Sequence, residues 1–138
     1  LKEALRARRL YGAFEMFGYP LGFDFHAVAG TDIVEMGGEV SLAELHSLVV
    51  KRPRVQALDP GAEPPQVITR VLKARTDGWD EVASSDDGDL SFRPTEPGAY
   101  RAEVRIIPFH LRDFLGDDQF TVLEEDHVWV YANAIYVQ

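Results

Sequence analysis

The chain has 138 residues, enough for one domain that buries a hydrophobic core without disulfides or a structural metal. A net charge of −9 argues against a nucleic-acid partner, since the phosphates would be repelled, and the absence of cysteine excludes disulfides and thiolate metal ligands. No apolar run approaches the roughly 18 residues that a membrane-spanning helix needs, and the composition does not indicate a cellular compartment.

Residues 1–9, LKEALRARR, are good helix formers and carry four of the fourteen basic residues. Leu1 and Leu5 lie one helical turn apart, but nine residues are too few for a helix that is stable alone in water. Because the first residue is not an initiator methionine, we expect the chain to be part of a longer protein. We interpret residues 1–9 as a helical remnant or linker from an upstream domain and residues 10–138 as the folded domain. A helix docked on that domain is the alternative.

Short strands separated by turn residues are predicted in the first half of the domain, at residues 10–17, 22–28, 31–36 and 46–51. The turns are Gly18-Tyr19-Pro20 after the first strand and Gly37-Gly38 after the third, and Pro53 ends the fourth. Phe23 and Phe25 share one face of the second strand, which predicts that both belong to the core.

Residues 55–65, VQALDPGAEPP, are predicted to form a loop that buries no core, because they contain three prolines and an Asp-Pro-Gly turn. Strands are predicted at residues 66–74 and 79–83, on either side of the turn Thr76-Asp77-Gly78. An acidic turn at residues 84–89 leads into the next hairpin.

The clearest strand-turn-strand pattern covers residues 90–107, with the turn at 94–98. The second strand alternates between apolar and charged side chains, with Tyr100, Ala102, Val104 and Ile106 on one face and Arg101, Glu103 and Arg105 on the other. This period predicts an antiparallel strand with one packed and one solvated face. Tyr100 follows a glycine-containing corner, and we expect its phenol to donate a hydrogen bond to the backbone of the turn.

Residues 108–126 are the least regular part of the chain, with six acidic residues from Asp113 onward. Their apolar side chains are too many for a disordered tail, so a folded-back loop with a helical turn at residues 111–115 is predicted. Residues 128–131 and 134–137 then form a closing strand, bent or bulged near Asn133.

Many short strands with no convincing internal helix predict an all-β fold. We expect an antiparallel two-sheet sandwich of the immunoglobulin or fibronectin type with a short N-terminal helix. The side chains expected to be largely buried are Phe23, Phe25, Leu72, Phe92, Tyr100, Val104 and Trp129.

Three groups of polar residues are candidate sites. The histidines His26, His46, His110 and His127 match no local zinc motif, so solvent-face or loop positions are the preferred interpretation. The run Asp86-Asp87-Gly88-Asp89 lacks the spacing and terminal glutamate of an EF-hand, which favours a hairpin turn. Ser84 and Ser85 lie in no nucleophile elbow and are expected to serve a turn.

An acidic run and a set of aromatic residues are two further candidates. Glu124-Glu125-Asp126 is interpreted as a solvated charge run. Core packing, rather than a carbohydrate-binding platform, is the preferred interpretation of the aromatic set Tyr11, Phe14, Phe17, Phe23, Phe25, Trp79, Phe92, Tyr100, Trp129 and Tyr131. We therefore predict no catalytic, cofactor-binding or metal-binding residue in the chain.

Three segments, RARRLYGAFEMFGYPLGFDFHA, EMGGEVSL, and PGAYRAEVRI followed by VWVYANAIYV, resemble a domain known from a group of bacterial metallohydrolases. These are enzymes of the polymerase and histidinol phosphatase (PHP) superfamily, and the domain is the immunoglobulin-like sandwich that follows their catalytic barrel. The chain departs from the family pattern at Arg8, where a glycine is usual, and at Val128 and Ala134, which replace two prolines. The resemblance implies that metal ligands lie on an upstream barrel, and none of those ligand motifs is present in this chain.

The resemblance implies a non-catalytic accessory domain that covers or braces a barrel carrying divalent metal ions, or binds a partner. The alternatives are a free-standing binding module of the fibronectin or carbohydrate-binding type and a small hydrolase. The expected partner is the upstream barrel of the same protein, and neither a nucleic acid nor a membrane span is expected. The sequence does not indicate an oligomeric state.

Overall fold

Two β-sheets pack face to face in the computed structural model, which describes residues 1–138. The strands are β1 Tyr11–Ala13, β2 Pro20–Leu21, β3 Asp24–Ala29, β4 Asp32–Glu35, β5 Glu39–Val40, β6 Leu45–Lys51, β7 Arg54–Val55, β8 Gln66–Arg75, β9 Gly78–Ser85, β10 Leu90–Phe92, β11 Gly98–Ile107, β12 His127–Ala132 and β13 Ile135–Val137. The predicted all-β sandwich with a short N-terminal helix is confirmed.

Helical structure is limited to short pieces. The α-helices are α1 Lys2–Arg6, α2 Arg112–Leu115 and α3 Gln119–Val122, and there are 3₁₀ turns at Glu15–Phe17, Phe109–Leu111 and Gly116–Asp118. None of these helices has the length and apolar character needed to cross a membrane. The helical turn expected at residues 111–115 is therefore present, as α2 and the 3₁₀ turn before it.

The larger sheet has seven strands arranged around β11. On one side β11 pairs with β8, which pairs with β9, and on the other side it pairs with β12 and then with β13. The closing strand that was predicted to be bent or bulged near Asn133 is interrupted there, so that β12 and β13 are two strands along the same edge of β11. β1 extends this sheet beyond β12, and β5 pairs with β13 in the one parallel ladder.

The smaller sheet has four strands in the order β10, β6, β3 and β4, and β2 and β7 form a separate two-stranded ladder. Residues from both main sheets form one core cluster, as the sandwich requires. Of the seven residues predicted to be buried, Phe25, Leu72, Tyr100, Val104 and Trp129 are buried. Phe23 and Phe92 are only partly buried and pack against the edge of the cluster.

The corner before β11 is held by the predicted tyrosine hydrogen bond. The Tyr100 ring is buried in the core, and its hydroxyl donates to the carbonyl oxygen of Glu96 at 2.7 Å. Burial raises the pKa of the Tyr100 phenol, although nearby Lys73 opposes the effect, so the group stays protonated and able to donate at neutral pH. The bond joins the turn to the core strand that follows it.

Replacing Tyr100 with phenylalanine is expected to lower the free energy of unfolding by about 1 kcal/mol or more, because the Glu96 carbonyl loses its partner. Urea denaturation followed by fluorescence measures the change. Tyr136→Phe is the matched control, since that tyrosine is 38% exposed. An unchanged denaturation midpoint for Tyr100→Phe would contradict the role assigned to the phenol.

The predicted strand at residues 10–17 is wrong in its second half. β1 ends at Ala13, and a 3₁₀ turn at Glu15–Phe17 follows, ending at Gly18 with φ +101°. The turn directs Phe17 into the core and presents the carbonyl of Gly18 to the indole Nε1 of Trp129, which donates to it at 2.9 Å. These long-range contacts override the local strand pattern.

The outer face of β11 is less solvated than the alternation predicted. Glu103 is only 8% exposed, because Tyr131 and Arg70 flank it in the neighbouring strands. Its carboxylate accepts a hydrogen bond from Arg105 at 3.0 Å, and Arg105 also donates to Asp126 at 2.7 Å. Asp126 accepts from Arg70 at 3.1 Å as well. This ion-pair network fastens the end of the 108–126 segment to the sheet.

Candidate functional site

A cavity of about 630 Å³ lies between three segments of the chain, residues 15–18, 55–63 and 109–114, and is called the groove below. Its volume is within the range of pockets that bind ligands or peptide side chains. The three walls come from parts of the chain that are distant in sequence. Apart from Val55 at the end of β7, the walls are loops and short helical turns outside the two main sheets.

The first wall is the 3₁₀ turn Glu15–Phe17. Because Phe17 is anchored in the core, the preceding Met16 is turned outward and is 75% exposed at the rim. Glu15 is exposed beside it and forms no ion pair. This wall therefore offers a thioether and a free carboxylate to the groove.

The second wall begins at β7 and continues through residues 56–63. The prediction that residues 55–65 bury no core is wrong at Val55, which pairs with Pro20 and packs against the core cluster. Ala57 has φ +54°, a left-handed conformation that is strained for a residue with a Cβ. Asp59 accepts a hydrogen bond from the backbone N–H of Gly61 at 2.8 Å, which closes the turn.

The third wall follows β11, where Pro108 ends the strand. His110 bonds through Nε2 to the carbonyl oxygen of Phe17 at 3.0 Å, so Nε2 carries the proton and the third wall is tied to the first. Its Nδ1 is buried and has no hydrogen-bond partner. Burial lowers the pKa of His110, while the bond to Phe17 opposes the shift. The neutral imidazole stabilises the fold at a pH above the pKa that His110 has in the unfolded chain. This contribution declines as the pH falls below that pKa.

An ion pair links the second and third walls. Arg112 donates from Nε and Nη2 to the two carboxylate oxygens of Glu63, at 2.8 and 3.3 Å. The hydrogen bond to Arg112 lowers the pKa of Glu63, which keeps the carboxylate ionised. Arg112 also lies over the ring of Phe109, 5.6 Å from its centre. Arg112 is thus already occupied within the protein.

The remaining charges of the groove are negative. Asp113 is exposed and, like Glu15, has no ion-pair partner, and Asp59 serves its own turn. Phe114, like Met16, lines the groove and is largely exposed, at 85%. The groove therefore combines exposed apolar side chains with exposed carboxylates that form no ion pair.

The four histidines do not form a common cluster, and the structure contains no group of three or more His, Asp and Glu side chains placed to hold a metal. His26 bonds to Asp24 at 2.7 Å, and His127 bonds to the carbonyl of Val122 and stacks on Phe17. His46 lies exposed on β6. That the chain binds no metal tightly stays a prediction.

The acidic turn predicted at residues 84–89 begins later, because Ser84 and Ser85 are the last two residues of β9. Residues 86–89 connect the two sheets, since β9 belongs to the larger and β10 to the smaller. Asp89 accepts hydrogen bonds from Lys51 and from the backbone N–H of Arg52, both at 2.8 Å. Ser85 donates to Asp87 at 3.2 Å, and neither Ser84 nor Ser85 bonds to a histidine. These residues stabilise the crossing between the sheets.

Two interpretations of surface groups need correction. Asp126 is not solvated as a charge run would be, because it binds Arg70 and Arg105, whereas Glu124 and Glu125 are exposed. Four of the aromatic residues assigned to the core are instead 40–47% exposed: Tyr11, Phe14, Trp79 and Tyr131. Tyr131 is turned outward by the strand alternation, and its ring covers Gly12.

A second feature is the junction between the N-terminal segment and the domain, formed by Arg8, Gly37 and Asn133. Asn133 donates from its side chain to the carbonyl of Arg8 at 2.8 Å and from its backbone to Leu10 at 2.9 Å. Gly37 donates to Ala134 at 2.8 Å. Arg8 itself has φ +57°, the left-handed conformation that glycine adopts most easily.

Replacing Arg8 with glycine is expected to raise the free energy of unfolding slightly, by about 0.5 kcal/mol. The relief of left-handed strain exceeds the added flexibility of the unfolded chain. Thermal denaturation of the variant checks this, with Arg6→Gly as the control because Arg6 lies in α1, where glycine is unfavourable. A lower melting temperature for Arg8→Gly than for the unmodified protein would contradict the expectation.

No protein-family model, curated protein or solved structure matches the chain. Function is therefore inferred from the residues of the groove and the junction.

Sequence reasoning did not find the groove. Its walls carry no periodic pattern, and Met16 and Phe114 read as ordinary apolar residues. The one usable signal was the pair of irregular segments, residues 55–65 and 108–126, that are too rich in apolar and acidic side chains to be simple connections.

Proposed function

We propose that the chain is a non-catalytic accessory domain of a larger, PHP-type metal-dependent hydrolase. The observation that carries the proposal is the junction: segments from all three parts of the sequence that resemble that family meet there. Arg8 comes from the first, Gly37 from the second and Asn133 from the last. Arg8, where the family pattern has a glycine, has the left-handed conformation that glycine adopts most easily.

The exposed surface of α1 supports the same role. The helix has no buried residue, and Leu5 is 50% exposed, so α1 does not pack its apolar side chains on the sandwich. A five-residue helix has little stability of its own in water. The hydrogen bonds of the junction nevertheless fix the direction in which the segment leaves the domain. We infer that Leu5 of α1, together with Leu1 at its N-terminal end, packs against the upstream barrel.

The reading frame upstream of Leu1 provides the direct test, with a barrel carrying His and Asp/Glu metal ligands as the expected result. In that longer protein, Leu5→Asp should weaken the barrel's metal-dependent phosphoesterase activity by disturbing the contact. Ile33→Asp is the matched control, because Ile33 is an exposed apolar residue, 65% accessible, on strand β4. A frame without such a barrel, or equal effects of the two substitutions, would refute the accessory role.

The chain by itself is expected to bind no zinc, manganese or iron tightly and to hydrolyse neither phosphoesters nor carboxyl esters, because such chemistry needs several preorganised ligands. Calorimetric titration of the chelator-treated protein, paired with a model phosphoester assay, measures both properties. Stoichiometric micromolar binding that depends on two or more of the four histidines, together with turnover, would favour a small metallohydrolase instead.

A free-standing binding module is the second candidate, and the groove is the observation that favours it. The two proposals predict that different surfaces of the domain make the functional contact. The accessory role depends on Leu1 and Leu5 at the N-terminal helix, whereas a binding module depends on the rim residues Met16 and Phe114.

A further inference from the structure

We propose that the groove binds a cationic, apolar peptide segment, that is, a stretch of a partner protein in which arginine or lysine alternates with aliphatic or aromatic residues. This inference does not depend on the accessory role. It rests on the rim of the groove, on its charge and on the strain in its wall.

The rim supplies the apolar contacts. Met16 and Phe114 are 75% and 85% exposed and line the same cavity, one from the first wall and one from the third. Large apolar side chains that border a concave site are a feature of protein interaction surfaces, and methionine adapts its shape to different partners. A partner side chain placed between them would cover both.

The negative charge of the groove favours a positively charged partner. Of its four carboxylates, Glu63 is neutralised by Arg112 and Asp59 is engaged in its turn, which leaves Glu15 and Asp113 exposed and unpaired. The only cation in the lining, Arg112, is already bound, so the groove has no free group to attract an anion. A guanidinium or ammonium group bound in the groove would find exposed carboxylates in the same lining as the apolar rim residues.

The walls are preorganised. Ala57 keeps a strained left-handed backbone in the second wall, and the bond between His110 and Phe17 joins the third wall to the first. Strained backbone of this kind is concentrated at ligand-binding surfaces. Because the walls are tied together before a partner arrives, less conformational entropy is lost on binding.

The test uses fluorescently labelled peptides of about seven residues, long enough to extend beyond the groove at about 3.3 Å per residue. One alternates leucine and arginine, a second serine and arginine, and a third leucine and glutamate. Fluorescence polarisation with the full chain is expected to give an affinity for the leucine–arginine peptide about tenfold higher than for either of the others. Raising the salt from about 0.05 M to about 0.5 M should weaken it.

Two matched pairs of variants locate the binding. Phe114→Ser is expected to weaken the leucine–arginine peptide about fivefold or more, whereas Phe120→Ser, on the same acidic segment but outside the groove, should change it less than about twofold. Glu15→Gln is paired in the same way with Glu124→Gln, since both carboxylates are exposed. Circular dichroism checks that each variant is folded.

Several results would overturn the proposal. Equal binding of the serine–arginine peptide would indicate nonspecific attraction to an acidic protein, and equal losses in both members of a pair would place the site elsewhere. Absence of binding would also reject it. Light scattering that reveals a dimer dissociated by Phe114→Ser would replace the peptide with the basic α1 segment of a second copy.

Discussion

Replacing Trp129 with alanine is expected to lower the free energy of unfolding by about 3–5 kcal/mol. Trp129 is fully buried and is the largest of the fully buried side chains, so the substitution leaves a cavity between the sheets. It also removes the indole N–H that donates to the carbonyl of Gly18, a residue in the first wall of the groove. We expect the groove to lose its first wall together with this stability.

Guanidinium denaturation followed by circular dichroism measures the loss. Should the alanine variant fail to fold, Trp129→Phe retains most of the ring and is expected to cost about 1–3 kcal/mol through the unmade hydrogen bond and the smaller volume. Trp79→Ala is the control, because Trp79 is 40% exposed and its ring contacts Arg101 on the outer face of the sheet. A loss for Trp129→Ala no larger than that for Trp79→Ala would contradict the central role of this side chain.

Replacing Gly37 with alanine is expected to lower the free energy of unfolding by about 2–4 kcal/mol. Two effects add. Gly37 has φ +86°, which strains any residue with a Cβ, and the new methyl group would lie 2.5 Å from the carbonyl oxygen of Arg8 and 2.7 Å from that of Ala7. Both are backbone atoms, so the N-terminal segment itself has to move and the bond from Asn133 to Arg8 is disturbed.

Gly30→Ala separates the two effects. Gly30 also has a positive φ, +59°, but a Cβ there would meet no atom within 4 Å. Its substitution should cost about 1 kcal/mol through backbone strain alone. Urea denaturation of both variants gives the comparison. Similar losses at the two positions would mean that the junction yields without resistance, and the fixed direction assigned to α1 would then be wrong.

The groove and the junction are connected through a short stretch of the chain. The 3₁₀ turn that forms the first wall lies only a few residues after the junction, with β1 between them. The first wall of the groove and the junction are therefore close to each other in the sequence. The peptide measurements and the Leu5→Asp comparison report on these features separately, since neither Met16 nor Phe114 belongs to the junction.

The amino-acid sequence by itself determined the fold class, the central strand and its tyrosine corner. The reason is that these depend on short-range patterns: the alternation from Tyr100 to Ile106 follows from the pleat of a strand, and a turn residue such as Gly98 acts within its own few residues. The irregularity near Asn133 belongs to the same group, because a polar residue interrupts an apolar run there.

Only the tertiary structure decided which residues meet across long distances. Glu103 alternates as a solvent-facing residue should, yet it is covered by neighbours on two other strands, and Asp126 leaves solvent because Arg70 and Arg105 converge on it. The groove has the same origin, since its walls are turns whose positions are set by the burial of Phe17, by the pairing of Val55 with Pro20 and by the bond from His110 to Phe17. Turns carry no period, so their side chains are placed by packing, and packing is a property of the whole chain.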